Sequence, residues 1–189
     1  MQIRKIIDQR KLFVLIILLS LLFAFSSLTF ASNLDKEIRT MVLESETKFV
    51  DEAMAGITHL GNGAVDYAIA SALPDKEARI DAQRSILVGG VSAFVLKTVI
   101  GQKRPPGPIE YKHFTLDSHY HAMPSGHTTT AFALAATVAR HYPKYKYLSY
   151  GLATLVGVSR LYEDMHWASN VVAGAGLGYI SAKFVEIKW

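Results

Sequence analysis

The stretch that decides the fold is PSGHTTTAFALAATVARH, residues 124–141. Pro124 suits the first turn of a helix, where its missing N–H costs nothing. From Gly126 an alanine-rich run continues to about His141, and Pro143 punctuates it. Outward from this helix the same reading repeats. Towards the C-terminus, helices are expected over about 144–163 and from His166 to Lys183. Towards the N-terminus, a loop rich in His and Tyr covers 105–123, because Pro105, Pro106, Gly107 and Pro108 forbid a helix. Before it, Pro74-Asp75 opens a helix that runs to Ile100 or Lys103. A short helix from Val65 to Leu73 follows the break at Gly61-Asn62-Gly63. Residues 34–57 form an amphipathic helix whose Leu34, Ile38, Met41, Val42, Phe49 and Ile57 are interleaved with charges, too polar to span a bilayer. Nowhere does an alternating strand pattern compete. The fold class is all-α, a compact bundle of about five to six helices. Gly151, Gly157, Gly174, Gly176 and Gly178 allow its later helices to approach closely. The apolar runs beyond residue 31 are short or broken by charges such as Lys97, which favours core helices over membrane spans.

Residues 1–31 differ from the rest. Arg4, Lys5, Arg10 and Lys11 precede an uncharged run from Leu12 to Phe30, and small residues Thr29 and Ala31 close it. That is the pattern of a secretory signal, or of an uncut membrane anchor making contact through residues 12–30. Residues 32–189 then form a single domain outside the cytoplasm: periplasmic, secreted, or anchored at the outer face of the cytoplasmic membrane. Of the formal net charge of +4, +3 falls in the first 31 residues, so the basic balance does not mark a nucleic-acid surface. Without cysteine the chain builds neither disulfide nor thiolate metal site.

Three blocks carry chemistry. Lys97 and Arg104, seven residues apart, are expected on one face at the end of a helix, and a Lys within an apolar run needs an anionic partner. Pro124-Ser125-Gly126-His127 opens a helix whose free N–H groups form an anion site, with the Ser125 hydroxyl as a further donor. Ser159-Arg160 and His166 flank the last helix junction; the Arg160 fork matches two phosphate oxygens. Asn170 follows His166 by four residues, on the same face if both are helical. His119-x-His121 fits metal spacing poorly and reads better as a polar loop. In that loop Tyr111, Phe114 and Tyr120 are candidates for a substrate wall.

In this order and spacing, Lys97, Arg104, Pro105, Pro124, Ser125, Gly126, His127, Ser159, Arg160 and His166 resemble the three-part signature of the type 2 phosphatidic acid phosphatase superfamily. That group includes lipid phosphatases, class A acid phosphatases and vanadium haloperoxidases. The resemblance covers about residues 60–183. It implies the helical acid phosphatase/haloperoxidase fold and a metal- and cofactor-free phosphatase acting on phosphate monoesters, lipid phosphates or lipid pyrophosphates. By the same resemblance His166 attacks phosphorus to give a phosphohistidine. Lys97, Arg104, Ser125, Gly126 and Arg160 bind the phosphate, and His127 protonates the leaving group. The sequence departs from the signature at Asn170, where the family has an Asp that accepts the proton-bearing nitrogen of the nucleophilic His. An equivalent Asp-to-Asn change in a Ser-His-Asp triad costs about 10⁴ in rate. Weakened activity, or a phosphate site kept only for binding, are the expectations this raises, with Glu163 or Asp164 as candidates to compensate. An integral membrane lipid phosphatase is the other enzyme reading, and a vanadium haloperoxidase with His166 as vanadate ligand a further one.

Overall fold

The computed structural model describes residues 33–187; the expected signal or anchor segment lies outside them. Seven helices follow one another among the described residues: α1 (residues 33–44), α2 (Lys48–Thr58), α3 (Gly63–Ser71), α4 (Lys76–Ile100), α5 (Gly126–His141), α6 (Lys146–Tyr162) and α7 (Ala168–Glu186). No strand is present among them, only an isolated bridge between Gln102 and Tyr111. The single helix expected over 34–57 is split at residues 45–47, where Thr47 turns extended and its hydroxyl caps Val50 N. Asn62, Asp75 and Ser125 cap α3, α4 and α5 in the same way, each accepting from a backbone N–H of the first turn.

The long helix α4 ends at Gly101, whose φ of 59° is left-handed. A Cβ there would lie 1.7 Å from the Lys112 carbonyl, so only glycine lets the returning loop pack on the helix end. This stop leaves Arg104 in the loop, not on the α4 face with Lys97 as the seven-residue spacing suggested.

Helix α5 is the centre of the bundle and packs on α4, α6 and α7. Its buried face carries threonines among the alanines. Their hydroxyls are satisfied by the helix itself, Thr129 donating to the Ser125 carbonyl at 2.7 Å and Thr137 to Ala133 at 3.0 Å. On α7, Cβ atoms at Gly174 and Gly178 would fall 2.6 Å from the Ser125 carbonyl and 2.2 Å from that of Thr129. The two backbones therefore touch along this seam, and it is the seam that carries the site.

The outer surface differs from what the short apolar runs implied. Helix α4 continues for 25 residues with Lys97 only in its last turn, long and apolar enough to cross a bilayer. Only 28% of its most apolar 18-residue window is buried. Leu87, Val91, Phe94 and Val95 of α4 are exposed, as are Tyr147, Leu148, Leu152 and Leu155 of α6 and Val172 and Tyr179 of α7. Several helices thus turn large apolar side chains outward.

Candidate active site

The ends of α4, α5 and α6 and the loop before α7 bring all three sequence blocks to one end of the bundle. Lys97, in the last turn of α4, donates its Nζ to the His121 carbonyl at 2.7 Å. Gly126, the first residue of α5, lies beside it: a Cβ at Gly126 would stand 3.6 Å from the Lys97 Cε. Ser125 is fully buried and accepts from the Thr128 hydroxyl at 2.9 Å, which leaves its own proton to donate. Its backbone N–H is fixed on the Asn170 carbonyl at 3.0 Å, tying the start of α5 to α7. His127 is half-buried against Gly61.

Arg104 enters from the loop. Its Nε donates to the Ser118 carbonyl and its Nη1 to the Met165 carbonyl at 3.0 Å. The same Nη1 lies 3.3 Å from His166 Nε2. Arg160, at the end of α6, is buried; its Nη1 donates to the Thr58 hydroxyl and to Glu163. Its Nε has no partner among the described residues. A buried, unsatisfied guanidinium N–H is costly unless an anion meets it.

His166 sits between these cations and is buried. Nδ1 lies 2.7 Å from the Ala122 carbonyl. A carbonyl only accepts, so Nδ1 carries the proton and Nε2 keeps its lone pair. Burial holds the imidazole basicity well below the ordinary range, and the charges of Lys97, Arg104 and Arg160 depress it further. The ring is therefore neutral, with its free lone pair directed into a pocket of positive charge. That arrangement suits attack on a phosphorus atom whose oxygens the cations hold.

Asn170 is not where the sequence placed it. Helix α7 starts at Ala168, so His166 precedes the helix and the two side chains share no face. Asn170 instead folds back to cap the helix, its Oδ1 accepting from Trp167 N at 2.9 Å while its Nδ2 donates to Gln102 Oε1 at 2.6 Å. The bond expected between Asn170 and His166 is not formed; the Ala122 carbonyl takes that place. Nor does Asp164 or Glu163 compensate, since Asp164 pairs with Arg39 and Glu163 with Arg160. His121 is also engaged, its Nε2 lying 2.9 Å from the Thr115 carbonyl. In the loop, Tyr111 is held near Gln102, whereas Phe114 and Leu116 stand exposed. Ala122, Gln102 and Thr58 are the site residues that the sequence reading missed. A backbone carbonyl has no signature in a sequence, and the other two carry no distinctive spacing.

The sequence profile of the PAP2 superfamily matches residues 82–187, more than half of the chain and all of the site apart from Thr58. The chain belongs to the PAP2 superfamily. Among curated PAP2 relatives, lipid A 1-phosphatase of Porphyromonas gingivalis is 32% identical over 169 residues, 84% of this chain and 35% of that protein. The lipid A 1-phosphatase of Rhizobium johnstonii is 31% identical over 99 residues, covering 50% of this chain and 41% of the relative. The chain thus spans less than half the length of these relatives. Phosphatidylglycerophosphatase B of Bacillus subtilis is 27% identical over 77% of this chain and 78% of its own. The PAP2 fold is matched by the crystal structure of Aquifex aeolicus LpxE, with a TM-score of 0.70 at 22% identity over 81% of this chain and 94% of that one. A transmembrane PAP2-type phosphatidylglycerolphosphate phosphatase from Bacillus subtilis aligns with a TM-score of 0.64 at 22% identity, over 92% and 93%.

Proposed function

We propose that this chain is a membrane-embedded lipid phosphatase, hydrolysing a lipid phosphate or pyrophosphate on the extracytoplasmic face through a phosphohistidine. The observation that carries the chemistry is His166, whose Nδ1–H donates to the Ala122 carbonyl while Nε2 faces Arg104 within a cluster of three cations. Nε2 attacks phosphorus as the phosphorus–oxygen bond to the lipid breaks, and the departing oxygen takes a proton from His127, whose imidazolium form the negative charge of the bound phosphate favours against the neighbouring cations. Neutral His127 then takes a proton from water as that water displaces His166 from phosphorus. Lys97, Arg104, Arg160 and the Ser125 hydroxyl hold the phosphoryl oxygens, and charge arranged in advance is the largest contribution such a site makes.

The outward apolar side chains of α4, α6 and α7 support the membrane reading over a globular domain on a single anchor. At about 1.5 Å per residue, α4 is about 37 Å long, enough for the hydrocarbon core. Charge supports the proposed orientation. Lys76, Arg79, Lys144 and Lys146 lie at the helix ends opposite the site. Basic flanks favour the cytoplasmic side, which supports an extracytoplasmic site.

Phosphate release from phosphatidic acid in mixed micelles, from a polyprenyl pyrophosphate and from an aryl phosphate tests the reading, with His166→Ala as control. Turnover of a lipid substrate abolished by His166→Ala supports it. Phosphate binding without turnover on any of the three makes the chain a binding protein. A chain lacking residues 1–31 that leaves the membrane in high salt contradicts the embedded reading.

A further inference from the structure

We infer that α1 is a positioning strap for the nucleophile, acting through Asp35 and Arg39; the inference rests on the phosphatase reading above. The two residues are one helical turn apart and share a face. They do not pair with each other. Arg39 forms a fork with Asp164, Nε to Oδ1 and Nη2 to Oδ2, both at 2.6 Å. Buried Asp35 accepts from the Ser169 backbone N–H at 2.8 Å and from its hydroxyl at 2.6 Å. A third contact joins the Ser45 and Tyr162 hydroxyls at 3.0 Å. The strap therefore grips the chain two residues before His166 and three residues after it.

Asp164 is held in the left-handed region, at φ 50°. That conformation is unfavourable for a side chain with a Cβ, though Asp tolerates it better than most. It turns the chain between α6 and α7 so that Met165 presents its carbonyl to Arg104 and His166 falls under the Ala122 carbonyl. The bidentate Arg39 fork fixes that turn from outside. Asp35 does the same for the start of α7: Trp167, at the cap position, offers no side-chain oxygen, and the carboxylate from α1 meets the Ser169 N–H instead. Neither residue touches the phosphate site. Their effect is on where His166 Nε2 stands.

A misplacement of about 1 Å at a reacting atom costs up to about 10²-fold. The test uses the full chain in detergent, with Arg39→Ala, Asp164→Asn, the double variant, and Asp35→Ala. Turnover of phosphatidic acid is read together with inhibition by orthovanadate and by inorganic phosphate. Vanadate reports the five-coordinate geometry that needs Nε2 in place; phosphate reports the cations. The expected result is a fall in kcat of about tenfold in each single variant and no further fall in the double variant. KM and the phosphate Ki should stay within about twofold, while the vanadate Ki rises in parallel with the loss of kcat. A lower kcat at unchanged vanadate Ki means only fewer folded molecules and overturns the inference, as does unchanged kcat. Failure of the phosphatase reading looks different: the unsubstituted chain then releases no phosphate, and the strap falls with it.

Discussion

Asn170→Asp asks what orients His166. Were the Nδ1 proton held at position 170, restoring a carboxylate would raise turnover steeply, since the comparable exchange in a Ser-His-Asp triad is worth about 10⁴. The geometry gives a different answer. Nδ1 is bonded to the Ala122 carbonyl at 2.7 Å, while Asn170 accepts from Trp167 N at 2.9 Å and donates to Gln102 at 2.6 Å. Aspartate keeps the bond from Trp167. It turns the contact with Gln102 into two facing acceptors, a conflict that Gln102 relieves by rotating its amide. Little opposes the rotation, because the Gln102 Nε2 otherwise makes only a 3.4 Å bond to the Tyr111 hydroxyl, and that phenol can donate to Oε1 instead. What remains is a charge at a fully buried position, offset by about 0.3–1 kcal/mol from the N-terminus of α7. The expected outcome is a loss of about 1–3 kcal/mol in stability and a change in turnover of no more than about threefold, against about 10⁴ for a direct contact. Phosphate release from phosphatidic acid at pH 7, beside thermal unfolding in the same detergent, measures both. A gain of about 10²-fold or more would refute the assignment of the Ala122 carbonyl and return Asn170 to the catalytic relay.

The pH dependence of stability follows from His166. Burial and three neighbouring cations lower its basicity in the folded state, whereas an unfolded histidine titrates at about 6.5. Below that pH the unfolded chain binds the extra proton first, so this group's contribution is full above about pH 7 and is lost as the pH falls towards 5. His166→Asn should flatten the slope of Tm against pH over that interval; an unchanged slope contradicts a neutral, buried ring. Arg160→Lys keeps the charge but removes the fork and the unpartnered Nε, and should lower kcat/KM by about 10²-fold, read by phosphate release. At the α5–α7 seam, Gly178→Ala drives a Cβ to 2.2 Å from the Thr129 carbonyl and should cost about 1–3 kcal/mol or more. Gly176→Ala meets nothing within 4 Å and should raise stability by up to about 1 kcal/mol, both read as Tm in detergent.

The cations and the α5 turn were legible because each combines a residue type with helix punctuation. Pro124-Ser125-Gly126 announces a helix start and an anion site at once, and Ser125 caps α5 as that reading requires. The error at Asn170 came from extending a helix two residues too far. With His166 inside α7 the four-residue spacing implies contact; with Ala168 as the first helical residue, the same spacing turns Asn170 into a cap and frees His166 to reach a carbonyl 44 residues earlier in the chain. Such a boundary shift is small in sequence and decisive in chemistry. The apolar surface was less legible for a related reason. Lys97 looks like an interruption of an apolar run, but it stands in the last turn of α4, where that run reaches the site, and Leu87, Val91, Phe94 and Val95 before it face outward. The fork between Arg39 and Asp164 joins residues 125 apart, so no local pattern could reveal it. What a linear reading captured was the inventory of charges; what it missed were the bonds that aim one imidazole, because these run between backbone carbonyls, helix ends and a distant helix. The Asn170→Asp and Arg39→Ala variants divide that aiming between the Ala122 carbonyl and the strap.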